Sequence, residues 1–460
     1  MNPRIFREYD IRGVADRDLD DGLVADLGRA LAARVVAAGP GRRPRVAVGR
    51  DCRLTSPRLF EALTHGLRER TDVVDLGMVP TPLVYFAAAT LGVDGAAMIT
   101  GSHNPPEDNG FKLMVGDETL HGDGIAALRR WIEDTRRQRP TLVGRHPGTL
   151  TAHDILPAYL AHTAAALRLG PRRPRVVVDA GNGAAGPTAR AVLGHLGFEV
   201  IALHCEPDGT FPNHHPDPTV EANLADLRAA VAAHDAEVGL ALDGDGDRLG
   251  VIDGRGRVLW GDQLMILLGK AVLAEVPGAG FVGEVKCSQA MYDELTRAGG
   301  HPEMWKVGHS LIKARMRETG AALAGEMSGH LFFAHRWLGF DDGVHAGARL
   351  LELLSRGERT LAELADELPR TVNTPELRVD CPDERKFAVV ARVTARLRAH
   401  PGVTGVVDLD GVRARFARGW GLVRASNTQP ALVVRCEAED ADALAEIRRE
   451  LEAAIAEAQA

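Results

Sequence analysis

A β-type run followed by an amphipathic helical pattern occurs three times along this chain, and this recurrence is the strongest constraint on its fold. The runs are RVAVGRD at 45–51, RVVVDAGNG at 175–183 and FVGEVKCS at 281–288. Strands that alternate with helices of this length indicate βαβ units and parallel or mixed sheets. The spacing therefore predicts three similar α/β domains with mixed sheets, which repeat a structure rather than a close sequence.

The C-terminal part of the chain has a different pattern. VVDLDGVRARF and LVVRCEAED are typical of antiparallel strands, and DADALAEIRRELEAAIAEA predicts a closing helix. We therefore predict a smaller α+β domain at the C-terminus. Because 460 residues are too many for one core, we divide the chain into four domains. The predicted bounds are 1–147, 148–253, 254–368 and 369–460.

Composition and charge exclude several classes of function. A net charge of −8, from 63 acidic and 55 basic residues, argues against nucleic-acid binding, which relies on a basic excess. The five cysteines are scattered without a CxxC pair, which favours buried thiols in a reducing compartment. The N-terminus has no apolar signal segment, and no apolar run approaches the ~20 residues that a membrane helix requires. We therefore expect a cytoplasmic protein without membrane contact.

A polar loop follows the apolar run GAAMI, in the segment ITGSHNPPEDNGFK at 99–112. The strand predicted for GAAMI places Ser102 at its C-terminal end, where ligands bind in open α/β sheets. The Asn-Pro dipeptide alone would indicate a simple turn. His103 and Lys112 favour a phosphorylated serine instead, since that group carries roughly −1.5 to −2 charges and needs cationic neighbours.

Three aspartates alternate with glycines directly after another apolar run, in LALDGDGDRLG at 240–250. Hard cations such as Mg²⁺ prefer oxygen ligands, and the glycines let alternating carboxylates converge on one ion. A calcium-binding EF-hand loop would need glycine and glutamate where this chain has Arg248 and Gly254. Three crowded carboxylates repel one another unless a cation holds them. The segment therefore predicts a Mg²⁺ site whose ligand shell a phosphate can complete.

Two further segments are weaker signals, GEMSGH at 325–330 and RASNTQP at 424–430. Glu326, Ser328 and His330 alternate, so in an extended strand or loop they would face one side and suit the hydroxyls of a sugar. The second segment supplies a guanidinium group, hydroxyls and backbone N–H groups, which suit a phosphate dianion. Taken alone, either segment could equally be an ordinary turn.

The segment GNGAAG at 181–186 matches the GxGxxG pattern of dinucleotide-binding proteins. Pro187 and Thr188 stand where a nucleotide P-loop would need lysine and a hydroxyl residue. DGDGDR follows where a Rossmann domain would continue, which favours a tight strand-to-helix turn. A nicotinamide-dependent oxidoreductase that uses GNGAAG stays open as an alternative.

Taken together, TGSHNPPEDNGFK, DGDGDR, GEMSGH and RASNTQP resemble, in this order, the α-D-phosphohexomutase superfamily, and within it the bacterial phosphomannomutase/phosphoglucomutase branch. The likeness extends over essentially the whole chain and includes FREYDIRG, VKCS, VGHSLIK and LGFDDG. It implies a heart-shaped protein whose four domains each give one loop to a central cleft. It also implies Mg²⁺-dependent phosphoryl transfer between the 6- and 1-positions of mannose and glucose phosphates, through a phosphoserine. Glucose 1,6-bisphosphate or mannose 1,6-bisphosphate would be the intermediate and activator.

The resemblance implies roles for individual residues as well. The metal ligands would be Ser102, Asp243, Asp245 and Asp247. The catalytic residues would be Ser102, which carries the phosphoryl group, with His103, Lys112, Arg12 and Arg248. The substrate-binding residues would be Tyr9, Lys286, His309, Glu326, Met327, Ser328, Gly329, His330, Arg424, Ala425, Ser426, Asn427 and Thr428.

The substrate and partners also follow from the resemblance. The expected partners are small hexose phosphates, and the expected assembly is a monomer or weak dimer. GEMSGH favours glucose and mannose phosphates without ranking one above the other. The alternatives are a phosphoglucosamine mutase-type specificity and a catalytically silent regulator that binds sugar phosphates.

Overall fold

The computed structural model describes residues 1–39, 41–138, 147–427 and 429–460. Within these ranges the chain forms four β-sheets packed with α-helices. The first three sheets are mixed, whereas the fourth pairs its strands antiparallel. The predicted fold class, three α/β domains followed by a smaller C-terminal α+β domain, is confirmed.

The first domain places Ser102 at the end of a central strand. Its strands are β1 (Ile11–Val14), β2 (Arg45–Arg50), β3 (Asp72–Met78), β4 (Gly95–Ile99), β5 (Asp108–Val115), β6 (Glu118–Thr119) and β7 (Leu150–Ala152). Its helices are α1 (Ala15–Asp18), α2 (Asp21–Ala38), α3 (Ser56–Leu67), α4 (Thr81–Thr90) and α5 (Asp123–Gln138). The strand order is β1-β5-β4-β2-β3-β7, with β6 paired to β5. Strand β4 is buried along its whole length and ends three residues before Ser102.

The second domain places the acidic segment in the same way. Its strands are β8 (Val176–Asp179), β9 (Val200–Leu203), β10 (Val238–Leu242), β11 (Leu249–Asp253) and β12 (Val258–Leu259). Its helices are α6 (Leu156–Ala166), α7 (Gly186–His195) and α8 (Ala225–Ala233). The strand order is β12-β11-β10-β8-β9. The buried strand β10 lies in the middle and ends directly before Asp243.

The third domain repeats this arrangement with a shorter sheet. Its strands are β13 (Gly280–Glu284), β14 (His301–Trp305), β15 (Leu323–Gly325) and β16 (Leu331–Phe333). Its helices are α9 (Gly261–Glu275), α10 (Gln289–Arg297), α11 (His309–Thr319), α12 (Gly343–Arg356) and α13 (Leu361–Asp366). The strand order is β14-β13-β15-β16, and β15 ends directly before Glu326.

The fourth domain packs two helices on an antiparallel sheet. Its strands are β17 (Val372–Asn373), β18 (Leu377–Asp380), β19 (Gly405–Val407), β20 (Val412–Phe416), β21 (Gly419–Ala425) and β22 (Ala431–Ala438). Its helices are α14 (Asp383–Ala399) and α15 (Ala441–Gln459). The strand order is β17-β22-β21-β20-β19, with β18 also paired to β22. Strand β21 ends directly before Ser426.

The four chemistry-bearing segments occupy equivalent positions in the four domains. Each one connects two consecutive strands that pair antiparallel: β4 with β5, β10 with β11, β15 with β16, and β21 with β22. In the first three domains the strand that enters the segment also pairs parallel with a neighbour. The structural repeat predicted from the sequence therefore delivers one loop per domain.

The apolar core joins the first three domains to one another. One continuous cluster of buried side chains includes Phe86, Leu240 and Phe281, one from each of these domains. The fourth domain has a core of its own, formed by residues between 381 and 458. A small cluster of Val285, Trp420 and Leu422 connects it to the third domain.

Two predicted domain boundaries fall close to the last strands of their sheets. Strand β7 lies beyond the boundary at 147 but pairs with β3 of the first sheet. Strand β12 lies beyond the boundary at 253 but pairs with β11 of the second sheet. The domain limits therefore stay predictions. No helix in the described parts of the chain combines the length and hydropathy of a membrane-spanning segment.

Candidate active site

Ser102 is held in an unusual backbone conformation at the centre of the site. Its φ angle is +49°, in the left-handed region that costs a non-glycine residue of order 1 kcal/mol or more. Its backbone N–H donates to Thr100 Oγ1 at 2.8 Å. Its hydroxyl donates to Asp243 Oδ2 at 2.9 Å and lies 3.3 Å from Nδ1 of His103. The hydroxyl therefore points from the first domain at the acidic loop of the second.

The three aspartates of the second domain are fully buried, and their carboxylate oxygens lie within 4.8 Å of one another. Lys112 Nζ donates to Asp245 Oδ2 at 2.7 Å and also to Asp247 Oδ2. The other oxygen of Asp245, Oδ1, is buried and accepts no hydrogen bond from any described residue. An unsatisfied carboxylate oxygen among two further carboxylates fits a hard divalent cation.

Burial and mutual charge perturb the titration of this cluster. Burial raises the pKa of Asp243 well above its ordinary value, and the neighbouring carboxylates raise it further. Burial alone would also raise the pKa of Asp247, but Lys112 and His330 hold it well below its ordinary value. Burial would lower the pKa of Lys112, yet its two carboxylate partners raise it well above the usual value. The cluster therefore combines a carboxyl group whose pKa is raised, that of Asp243, with one whose pKa is lowered, that of Asp247.

The third-domain segment brings a carboxylate and an imidazole against this cluster. His330 Nδ1 lies 2.5 Å from Glu326 Oε2, and His330 Nε2 lies 3.1 Å from Asp247 Oδ1. Burial alone would lower the pKa of His330, but the charge of Asp247 and both hydrogen bonds raise it to about 9. Arg248 Nε lies 3.2 Å from His330 Nε2. The second and third domains therefore meet through these residues.

A turn, rather than an extended strand, gives the third-domain segment its shape. Residues 327–328 form the turn, and the backbone N–H of Glu326 donates to His330 O at 2.9 Å. Gly329 has a φ angle of +95°, which favours glycine. Met327 and Ser328 lie half-buried at the tip. Glu326 and His330 thus meet because the turn folds them together, and not because they alternate along a strand.

The fourth-domain segment has polar contacts within its own domain. Arg424 pairs with Asp410 at 3.0 Å. Ser426 Oγ accepts from the backbone N–H of Gln429 at 3.2 Å, and Ala425 is buried in β21. Thr428 lies outside the described residues.

Tyr9 connects three of the domains. Its hydroxyl donates to Val307 O in the third domain at 2.7 Å and accepts from Asn427 Nδ2 in the fourth. Its ring centroid lies 6.4 Å from that of His309, whose own centroid is 5.9 Å from that of His330. This chain of contacts joins the fourth-domain segment to the acidic cluster.

Arg12 and Lys286 lie at the edges of the site. Arg12 donates to Asn104 Oδ1 at 2.8 Å, which places it over the Ser102 loop. Lys286 Nζ donates to Glu376 Oε2 at 3.3 Å, at the start of the fourth domain. Arg12 therefore contacts the first-domain loop, and Lys286 connects the third domain to the fourth.

Several residues at the site carried no sequence signal of their own. Thr81 donates its hydroxyl to Asp245 Oδ2 at 2.6 Å, and Lys313 donates to the buried Asp341 at 2.9 Å. Oxygens of Asp341 and Asp247 and a nitrogen of His330 lie within 4.8 Å of one another. Asp341 belongs to LGFDDG, a segment that carried the resemblance without a role. Arg53 donates to the backbone oxygen of Ser102 at 2.8 Å. In the sequence RVAVGRDCR it is only a residue that follows a predicted strand.

The GNGAAG segment is a packing turn. Gly181 and Asn182 have positive φ angles, and Gly183 lies so close to the acidic loop that an added Cβ would be 2.7 Å from Gly244 O. Ala184 N donates to that same oxygen at 3.0 Å. The segment therefore packs against the backbone of the acidic loop and supports it.

The fold and the site together define a class of protein. Four domains each contribute one loop, and a serine hydroxyl faces a carboxylate cluster suited to a cation, with lysine and arginine beside it. Charge stabilisation and alignment of this kind are what phosphoryl transfer requires. The class is that of multidomain α/β phosphotransfer enzymes.

Family models described as phosphoglucomutase/phosphomannomutase alpha/beta/alpha domains I, II and III and C-terminal domain match residues 3–136, 157–256, 260–372 and 376–454. The phosphomannomutase/phosphoglucomutase of Pseudomonas aeruginosa is 45% identical over 445 residues, 96% of this chain and 94% of the relative. The phosphoglucomutase of Neisseria gonorrhoeae is 43% identical over 453 residues, 98% of this chain and 96% of the relative.

A solved structure gives the same result. The crystal structure of a phosphoglucomutase/phosphomannomutase family protein from Burkholderia thailandensis matches with a TM-score of 0.91 at 43% identity, covering 100% of this chain and 98% of that one. The chain belongs to the phosphoglucomutase/phosphomannomutase family. The resemblance stated from the motifs is therefore confirmed.

Proposed function

We propose that this enzyme interconverts the 6- and 1-phosphates of mannose and glucose through a phosphoserine at Ser102. The observation that carries the proposal is the 2.9 Å hydrogen bond from the Ser102 hydroxyl to Asp243, the first of three converging carboxylates. The phosphomannomutase and phosphoglucomutase names of the relatives support the choice of substrates.

Asp243, Asp245 and Asp247, with a phosphate oxygen on Ser102, would hold Mg²⁺. The fit is supported by the free, buried Oδ1 of Asp245, which finds no hydrogen-bond donor among the described residues. When bound, the ion would neutralise charge on the transferring group and act as a Lewis acid.

Lys112 and Arg248 supply positive charge from the protein. Lys112 contacts two of the carboxylates, and Arg248 contacts His330 on the opposite side of the cluster. Because Lys112 already shares its protons with two carboxylates, its part is to stabilise charge on the phosphoryl oxygens rather than to act as a base.

In the first half of the reaction, the bond between phosphorus and the Ser102 oxygen breaks as a bond to a sugar hydroxyl oxygen forms. The sugar hydroxyl gives up its proton, and the free seryl oxygen ends as a hydroxyl. The product is a hexose 1,6-bisphosphate. It turns end over end, and its other phosphoryl group then returns to Ser102.

The remaining predicted residues would hold the sugar and its second phosphate. Arg424, Ser426 and Asn427 offer a guanidinium, a hydroxyl and an amide to the phosphate that does not react. Glu326 and Ser328, with Lys286, would bind sugar hydroxyls. The enzyme would contact hydroxyls that glucose and mannose share, so it would not distinguish the two sugars at the 2-position.

The wider setting of the enzyme also belongs to this proposal. Hexose phosphates would be its small-molecule partners, and the bisphosphate would serve as activator. A monomer or weak dimer and a cytoplasmic location stay predictions, the second supported by five free thiols.

The test is a side-by-side mutase assay on mannose 1-phosphate and glucose 1-phosphate, with Mg²⁺ and a catalytic amount of glucose 1,6-bisphosphate. We expect turnover of both sugars. Binding of glucose 1-phosphate without isomerisation would favour a silent regulator instead. Turnover of glucosamine phosphate alone would favour the phosphoglucosamine mutase alternative.

A further inference from the structure

Arg53 is a buried arginine beneath the Ser102 loop, between β2 and α3. Its side chain is 0% exposed, although a guanidinium cannot lose its charge in a protein. Burying such a charge is costly unless an opposite charge and hydrogen bonds compensate for the lost water. The contacts of the buried guanidinium group therefore indicate the role of Arg53.

The guanidinium donates to four backbone carbonyls of the Ser102 loop. Its NH2 group reaches Ser102 O at 2.8 Å and Asn104 O at 2.6 Å. Its NH1 group reaches Asp108 O at 2.8 Å and also Pro105 O. These four bonds span the loop from Ser102 to the start of β5, so one planar group fixes the course of the whole loop.

Two other groups fix the guanidinium itself. Its Nε lies 3.2 Å from Asp51 Oδ2, and that oxygen also accepts from the backbone N–H of Gly101 at 3.1 Å. The guanidinium carbon lies 5.1 Å from the ring centroid of Phe211, in the second domain. The arginine is thus held between the serine loop and the domain that carries the acidic loop.

Gly101 shows how tightly the loop lies on the arginine. A Cβ added at this glycine would be 2.4 Å from the guanidinium carbon of Arg53. Every heavier residue at this position would displace either the loop or the guanidinium.

The hydroxyl of Ser102 depends on this support. Its left-handed φ of +49° is unfavourable for serine, so surrounding contacts must maintain it. The bond from Arg53 to Ser102 O fixes the peptide group that follows this angle. An error of about 1 Å in the position of a reacting group can cost on the order of 10²-fold in rate.

We propose that Arg53 is a positioning residue, whose forked guanidinium holds the Ser102 loop in the conformation that phosphoryl transfer requires. This inference rests on the proposed function of Ser102. Arg53 acts through the loop backbone and makes no hydrogen bond to the Ser102 hydroxyl. The step that it serves is the in-line transfer to and from that oxygen.

Substitution by lysine tests whether the planar guanidinium group or only its positive charge is needed. Lysine keeps one positive charge but offers a single ammonium group, which cannot match four carbonyls in a plane. If charge alone mattered, Arg53→Lys would behave like the wild type. We expect Arg53→Lys to lower kcat by about 10²-fold while KM for glucose 1-phosphate changes by less than about threefold.

Arg50→Lys is the matched control. Arg50 also forms an ion pair, with Asp75 at 2.8 Å, and its guanidinium also lies over an aromatic ring, that of Phe60 at 4.3 Å. These contacts are with β3 and α3 rather than with the serine loop. We expect this variant to keep kcat within about twofold of the wild type.

Gly101→Ala keeps the inference testable if Arg53→Lys does not fold. The added methyl would push on the guanidinium without removing it, so kcat should again fall at nearly constant KM. Gly194→Ala, where the methyl meets no atom within 4 Å, is its control. All rates are measured well below the melting temperature of each variant.

The decisive readout is the fate of the phosphoryl group. A loosened loop should pass a larger fraction of it to water, measured as inorganic phosphate released per isomerisation, which a purely structural loss would not change. Wild-type kcat and phosphate release in Arg53→Lys, or in Gly101→Ala if the lysine variant is unfolded, would overturn the inference. Wild type and Ser102→Ala are assayed alongside: an inactive wild type or an active Ser102→Ala would instead refute the proposed function, and the inference with it.

Discussion

The two ends of the site are built differently. Ser102, Lys112 and Asp243 are buried side chains that connect the first two domains by direct hydrogen bonds over a shared apolar core. Arg424 and Asn427 belong to the fourth domain, which has its own core and a small apolar contact with the third. The contrast suits the proposed reaction, in which the transferring group needs strict alignment and the remote phosphate would be bound in two poses.

The charges of the two ends differ in the same way. At the transferring end three carboxylates converge, and one of their oxygens has no donor among the described residues. At the binding end the cations already have carboxylate partners: Lys286 contacts Glu376, and Arg424 contacts Asp410. In the proposed function the first end would hold a cation, and the second would bind an anion in place of a carboxylate.

The largest expected effect is at the transferring end. Ser102→Ala removes the oxygen that would carry the phosphoryl group, so kcat should fall by about 10⁴-fold or more with an unchanged circular dichroism spectrum. Ser426→Ala removes a hydroxyl of similar size from the binding end and should mainly raise KM. If the two serine variants lost kcat equally, the distinction between the ends would be wrong.

The next effect concerns the cation. Asp245→Asn removes one negative charge from the cluster, so half-saturation by Mg²⁺ should require about tenfold more metal, and kcat should fall on the order of 10²-fold. Mg²⁺ should also raise the melting temperature of the wild type, because it binds the folded state, and should do so less in the variant. Metal titrations followed by activity and by thermal unfolding check this. Superimposable titrations would place the metal elsewhere.

A smaller effect is expected at the binding end. Arg424→Lys replaces a fork by a point charge, so KM for glucose 1-phosphate should rise about tenfold, equivalent to about 1.4 kcal/mol, with kcat nearly unchanged. Arg398→Lys, at an exposed ion pair with Asp408 in the same domain, is the control and should leave both constants alone. A loss confined to kcat would contradict the assignment of Arg424 to phosphate binding.

The smallest effect is expected between the two ends. Tyr9→Phe removes the hydroxyl that links Val307 and Asn427, and a hydrogen bond contributes about 1 kcal/mol net. We expect KM to rise about two- to fivefold, with little change in thermal stability. Steady-state kinetics on both sugar phosphates measure it. A change of more than about 10²-fold in kcat would show that Tyr9 belongs to the transferring end instead.

The sequence predicted the loops better than it predicted what holds them. Ser102, Asp243 and Glu326 each follow an apolar run, and a strand that ends in polar residues can be recognised without a structure. Three mixed sheets and a different fourth domain could be predicted for the same reason, since periodicity is a local property.

Contacts between buried polar groups that are distant in the chain could not be predicted. Arg53 lies 49 residues from Ser102 in the chain, and Thr81 lies 164 residues from Asp245. The sequence does not distinguish a buried arginine from an exposed one, so its burial becomes known only from the packed structure. The sequence placed Glu326 and His330 on one side of the segment, but the alternating pattern does not predict the turn through which they make contact.

The central claim is that Ser102 stores the phosphoryl group. The most direct measurement is the intact mass of the protein after incubation with glucose 1,6-bisphosphate and Mg²⁺, with peptide mapping of any added group. We predict a gain of one phosphoryl group, located on Ser102. Excess glucose 1-phosphate or glucose 6-phosphate should remove this group from the protein, because the sugar phosphate accepts it and becomes the 1,6-bisphosphate. A protein that isomerises the sugar phosphates while its mass never changes, or that carries the group on another residue, would contradict the account.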